Sequence, residues 1–227
     1  MLIYLFIHIM IIDIIKKDIA PSHIEDVAIN ILASMDEYKT HIMPVVDVDN
    51  KYLGVIEEDS ILNMENIQQS LQFAQREFKN IFAFMESHIF ESIKIISENQ
   101  ISILPVINKN FQYVGYISAI DILKKMGQNS VMTQATNIIV LSVNQKNYSI
   151  HEISRLIEEN SGKIITLWHE TIKEKLYLHL LIISNNTKAI TQTLERYDYV
   201  ITNSFLETSR SENLNNRFES FIKYLNP

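Results

Sequence analysis

Ser118 and Asp121 stand three residues apart in GYISAIDILKKM, just ahead of an apolar run. A serine at that spacing can take up the free N–H groups of a helix start while the acidic side chain reaches back, as in a capping box. Such a cap is worth about 1 kcal/mol without any ligand. The same end of a helix also favours an anion, because its N–H groups and dipole point outward there. Two uses are therefore open to this pair, a structural cap and a ligand contact. Other chemistry is poorly furnished. The seven histidines (His8, His23, His41, His88, His151, His169 and His179) are scattered, and none forms H-E-x-x-H or another tight ligand pair, so no metal is expected. The carboxylate runs Glu57–Glu58–Asp59 and Glu158–Glu159 fall in turns or on helix surfaces. There is no Gly-x-Ser-x-Gly elbow, no glycine-rich phosphate loop, and no cysteine for a thiol nucleophile, a disulfide or a zinc ribbon. No enzyme is expected, and no cofactor is required.

The elements that position Ser118 and Asp121 belong to a repeat. Residues 44–62 read PVVDVDNKYLGVIEEDSIL, and residues 105–123 read PVINKNFQYVGYISAIDIL. Pro44 and Pro105 stand 61 residues apart (105 − 44), as do Gly54 and Gly115 (115 − 54), with no gap between. Val45/Val106, Tyr52/Tyr113, Ile56/Ile117, Ile61/Ile122 and Leu62/Leu123 coincide at the same offset. Each copy opens on an amphipathic helix: Val27, Ile31, Leu32 and Met35 share one face in the first, and Ile89, Ile93 and Ile96 in the second. A strand from the proline, a polar turn (DVDNK; NKNFQ) and a strand across the glycine then read as a hairpin. A second helix closes each copy, from Ser60 and from Asp121. A unit this small buries its sheet poorly alone, so the copies are expected to pack together. Clefts for ligands favour such junctions.

This pattern resembles CBS motifs, and its doubling resembles a CBS pair (a Bateman-type module) over about residues 14–127. The resemblance implies a regulatory module that binds AMP, ADP, ATP or a related adenosyl ligand in clefts between the motifs. It also assigns roles. Three positions after Gly115, Ser118 contacts phosphate; six positions after it, Asp121 takes the ribose hydroxyls, which suits an acceptor-only carboxylate. Adenine lies against Ile103 and Leu104, with Pro105 shaping the turn. Lys124 reaches a phosphate or stays solvated. Copy one departs from the pattern. Beside Met43 and Pro44 it places Glu57 at the hydroxyl position and Ser60 at the carboxylate position. Glu57 repels phosphate and Ser60 is a poor ribose clamp, so this second cleft reads as degenerate.

The C-terminal third changes pattern. Ile138–Val143, Lys163–His169, Leu176–Ile183 and Tyr199–Leu206 read as strands; Ser149–Glu159 and Ala189–Tyr197 read as helices, the first with Ile150, Ile153, Leu156 and Ile157 on one face. Gly162 stands where a helix stop belongs. The order βαββαβ is the split βαβ or ferredoxin-like unit. Beside a CBS pair it is similar to an ACT domain, and the whole to acetoin-utilisation-type CBS–ACT proteins of Bacteroidetes. The turn NQKNYS, with Asn147, Tyr148 and Ser149, lacks the glycine usual in amino-acid-binding ACT domains, so the expected role is dimerisation. The fold class is therefore α/β (α+β), with a tandem CBS pair over 10–128 (copies 14–65 and 78–127), an ACT-like domain over 137–207 and a helical tail over 208–227. In the tail, Leu214, Phe218, Phe221 and Leu225 make one apolar stripe.

Composition narrows the partners. The 227 residues are 47% hydrophobic with a formal net charge of -7, which suits packed cores and argues against a nucleic-acid binder with a basic face. The opening MLIYLFIHIMII is interrupted by His8 and ends at Asp13, short of the roughly 20 residues a bilayer span needs. A buried or partner-covered segment is expected; the CBS–ACT resemblance implies a body that starts near Met10, the first nine residues being an extension or a misassigned start. The expected protein is a cytoplasmic homodimer with an adenine nucleotide as regulatory ligand, no membrane association and an unidentified regulated partner.

Overall fold

The computed structural model describes residues 10–128, 137–144 and 148–206. The apolar start before Met10, the polar connector, residue 147 of the glycine-free turn and the amphipathic tail lie outside them. The chain divides into two compact units, Met1–Met126 and Gly127–Pro227.

The first unit is built twice. Copy one runs β1 (Ser22–His23), α1 (Ala28–Tyr38), β2 (Ile42–Val46), β3 (Tyr52–Glu57) and α2 (Glu58–Leu62); copy two runs β4 (Ala83–Phe84), α3 (Ile89–Asn99), β5 (Ile103–Ile107), β6 (Tyr113–Ser118) and α4 (Ala119–Gly127). Each copy makes a three-stranded sheet, β1-β2-β3 and β4-β5-β6, parallel in its first pair and antiparallel in its second. The prolines fit because β1 pairs only with Val45 and Val46, and β4 only with Val106 and Ile107. The missing N–H of Pro44 or Pro105 therefore breaks no ladder bond. Both β2 and β5 are buried at all five positions, as a short, continuous apolar run should be.

Two details of copy one differ from the sequence reading. Val27 is the N-cap of α1 and not on its buried face. The closing helix begins at Glu58, ahead of Ser60, and lasts five residues; a 3-10 helix, Leu71–Glu77, follows before copy two. One core serves both copies: Ile31, Met35, Val45 and Ile56 from the first share it with Leu104, Val106 and Ile117 from the second.

The second unit has the expected βαββαβ order: β7 (Asn137–Val143), α5 (Ile150–Glu159), β8 (Lys163–Ile172), β9 (Lys175–Ile183), α6 (Thr187–Arg196) and β10 (Val200–Leu206). Its antiparallel sheet is ordered β10-β7-β9-β8. Alternate residues of β7 and β9, such as Ile139, Leu141, Leu178 and Leu180, share a core with Ile153, Leu156 and Ile157 of α5 and Ile190 and Leu194 of α6. Both helices thus cover one sheet face. Gly162 is not the left-handed stop after α5; Ser161 takes that conformation, with φ 57°. Gly162 is small because Ile157 and Ile190 pack where a Cβ would stand.

Candidate functional site

Copy two brings Ser118 and Asp121 into direct contact. β6 ends at Ser118, which lies opposite Ile103 of β5 in register, and α4 starts at the next residue. The Ser118 hydroxyl donates to Asp121 Oδ2 at 2.5 Å and accepts from the Asp121 N–H at 3.1 Å. The Ser118 N–H donates to the same carboxylate oxygen at 3.3 Å. This is the reciprocal capping box that the spacing allows. Ile103, Leu104 and Pro105 are all buried beside it, Leu104 completely. Lys124 is exposed.

A residue that the sequence reading did not single out completes the cluster. Lys16 Nζ lies 2.8 Å from Asp121 Oδ1; its own side chain is 43% exposed, that of Asp121 9%. Lys16 arrives on a segment that precedes β1 yet crosses copy two. Its N–H donates to the Tyr116 carbonyl at 2.8 Å, and the Tyr116 N–H donates back at 2.9 Å. On the same segment Asp18 accepts from the Tyr116 hydroxyl at 2.8 Å, and Asp13 pairs with Lys125 at 3.4 Å. Burial raises the Asp121 carboxyl, but hydrogen bonds from Lys16 and Ser118 and the ammonium charge outweigh it and hold the group below its ordinary value. Burial and the Asp18 contact push the Tyr116 phenol up.

Copy one repeats the crossing with different chemistry. The segment before β4 crosses β3, where Lys79 and Val55 exchange backbone hydrogen bonds of 2.9 Å each. Lys79 Nζ then pairs with Glu57 Oε2 at 2.6 Å. Glu57 precedes α2 but makes no side-chain cap bond; Ser60 is half-buried, while Met43 and Pro44 are buried.

The crossings explain the repeat's glycines. Gly54 has φ +145° and Gly115 φ +152°, a region that favours glycine. A Cβ on Gly54 would lie 2.9 Å from the Lys79 carbonyl oxygen; one on Gly115 would overlap that of Lys16. These glycines make room for a passing backbone.

The ungapped repeat conceals both lysines. Val55 and Tyr116 stand 61 residues apart (116 − 55), whereas Lys16 and Lys79 stand 63 apart (79 − 16). Copy one has two more residues between its crossing and β1 than copy two has before β4.

Described residues of the second unit line at least two cavities. One, of about 580 Å³, is lined by Asn160, Ala189, Gln192, Thr193, Glu195 and Arg196. The other, of about 380 Å³, lies on the uncovered sheet face among Ile138, Thr166, Trp168, Glu170, His179 and Leu181, with His179 Nε2 3.1 Å from Glu170 Oε1. Among the described residues no group of three His, Asp or Glu could hold a metal ion, and no helix is long and apolar enough to cross a membrane.

Comparison with known proteins bears on the first unit. The CBS domain family matches residues 11–65 and again residues 77–128, and the fold carries these as tandem CBS domains. Among solved structures, a CBS domain pair/ACT domain protein from Thermotoga maritima is 19% identical, with a TM-score of 0.47 over 52% of this chain and 95% of that one. CBSX2 in complex with AMP is 12% identical, TM-score 0.45, over 53% and 97% of the two chains. The CBS domain of a bacterial CNNM/CorC family Mg2+ transporter, in complex with ATP, is 12% identical, TM-score 0.43, over 53% and 89%. No curated protein matches the chain.

Proposed function

We propose that the tandem CBS domains of this chain form a non-enzymatic regulatory module that binds an adenine nucleotide in the cleft of copy two. The observation that carries this reading is the convergence of Ser118 and Asp121 at the start of α4, beside Ile103. A hydroxyl and a largely buried carboxylate meet there at the N-terminus of a nine-residue helix. Asp121 takes the ribose hydroxyls, Ser118 the phosphate, and the apolar β5 residues the base. Copy one, with Glu57 in place of the hydroxyl and already paired with Lys79, is the empty half. The βαββαβ unit acts as an ACT-like assembly element in a homodimer, with the domains extending over 10–128 and 137–207, as in acetoin-utilisation-type CBS–ACT proteins.

Binding matters to regulation only if the ligand favours one arrangement of the pair over another. The test is thermal unfolding with AMP, ADP, ATP and S-adenosylmethionine at millimolar concentration. A ligand at 100 times its Kd stabilises by about 2.7 kcal/mol, so the melting temperature should rise by several degrees and by much less in Asp121→Ala. No shift in the unaltered protein with any of the four sinks the proposal.

One observation favours a second reading. Ser118 and Asp121 already satisfy each other, so the cleft is vestigial and the chain a structural or interaction protein. Its outcome is loss of stability in Asp121→Ala with no ligand response in either protein.

A further inference from the structure

The carboxylate assigned to ribose is not free. Its Oδ2 accepts from the Ser118 hydroxyl and, less closely, from the Ser118 N–H; its Oδ1 holds the Lys16 ammonium at 2.8 Å. Two carboxylate oxygens offer about four lone-pair sites, and three are taken. Even when the Ser118 hydroxyl turns to phosphate and frees a site on Oδ2, a diol that uses both carboxylate oxygens must share Oδ1 with Lys16 or displace it. A neutral nucleoside offers the displaced ammonium nothing, and breaking an ion pair on a largely buried carboxylate is costly. A phosphorylated ligand brings its own counter-charge. The lysine backbone is fixed by its two hydrogen bonds to Tyr116, but its side chain is nearly half exposed and is a flexible four-carbon stem. It can move to a new anion without moving the chain.

We propose that Lys16 is a binding residue of the copy-two cleft that selects phosphorylated ligands against the free nucleoside, exchanging Asp121 for phosphate. The inference rests on the nucleotide reading above. Lys16 takes the phosphate role that sequence spacing suggested for Lys124. Copy one supplies the internal contrast. Lys79 reaches the same side of its cleft, but Glu57 holds it where phosphate would have to enter. There the exchange is blocked by the carboxylate itself.

Calorimetric titration of AMP and of adenosine into the unaltered protein, Lys16→Met and Lys16→Arg decides the matter. In Lys16→Met the preference for AMP over adenosine should fall about tenfold, the scale of one contact to a charged group. AMP loses a partner and adenosine loses a competitor. Lys16→Arg should keep most of the preference. Equal weakening of both ligands by Lys16→Met marks a merely structural lysine and overturns the proposal, as does an unchanged ratio. Failure of the unaltered protein to bind either ligand, or ATP, fells the underlying nucleotide reading instead, and this inference with it. Should Lys16→Met not fold, amine acetylation of the unaltered protein gives the same decision. AMP should slow labelling at Lys16 and adenosine should not; equal protection by both overturns the assignment.

Discussion

The two CBS copies share a skeleton and differ at its rim. β2 and β5 are buried alike at every position, and β3 and β6 are alike buried except at their second and last residues, which are half-buried. Both α1 and α3 run for 11 residues and stop on a left-handed residue. They part at the start of the first helix, which is capped by His88 in copy two and uncapped in copy one, and where the second hairpin strand meets the last helix. Copy two has a reciprocal cap on a nine-residue helix; copy one has an uncapped five-residue helix and a charge pair. Packing constrains the hairpin because both copies feed one core, whereas Ser118 and Glu57 at the strand–helix junction are only half-buried and can differ at smaller cost.

The sharpest way to break the comparison is to attack what the copies share. Gly115→Ala and Gly54→Ala each force a Cβ onto a crossing backbone at a φ that L residues rarely adopt. Strain and overlap together should cost about 3 kcal/mol or more at Gly115, where the overlap is worse, and about 2 kcal/mol at Gly54. Urea unfolding measures both; equal, sub-kilocalorie losses would show that the crossings do not govern these positions.

A smaller effect should separate the copies. Asp121→Asn removes a carboxylate that is capped and paired, and should cost about 1–2 kcal/mol. Glu57→Gln removes a more exposed pair and should cost under about 1 kcal/mol. Acid extends the contrast. The Asp121 carboxyl is depressed in the folded protein from an ordinary value of 3.8, so its contribution is fully present above that pH. It is lost as pH falls below it through the folded value. Asp121→Asn should therefore lose less stability than the unaltered protein as pH falls below the ordinary value of 3.8. Parallel acid-unfolding curves would refute the assignment.

The smallest effect tests the helix ends. Lys39 and Gln100 occupy left-handed conformations, with φ 53° and 54°, at a cost for an L residue. Gln100→Gly should stabilise the fold by about 0.5 kcal/mol, and Lys39→Gly by less, since it also gives up the surface pair with Asp36. Chemical denaturation with well-sampled baselines resolves the difference; destabilisation by both variants contradicts the argument.

The hairpins were legible because Pro44, Gly54, Pro105 and Gly115 punctuate the sequence where the backbone has special needs. The βαββαβ order was legible through apolar alternation, most clearly in β9. Lys16 and Lys79 were not, because each acts on the other copy through contacts far along the chain, and a two-residue difference in spacing hides their equivalence. Ser118 and Asp121 were found by spacing, which allowed their capping box but could not show that the serine hydroxyl also donates to the carboxylate. Gly162 was misjudged as a helix stop because a glycine at that place fits either a turn or a tight packing site, and Ser161 made the turn.

The crossing segments also set a schedule. Lys16 must pair with Tyr116, which leaves the ribosome a hundred residues later (116 − 16), a delay of roughly 5–20 s at ordinary rates of synthesis. For that interval Lys16 and Asp18 wait for Tyr116, while Ile11 can already join the Ser87 backbone and the core. The finished module is thus closed by a segment made ahead of copy one, and a truncation after copy one should leave Lys16 without its seat on Tyr116.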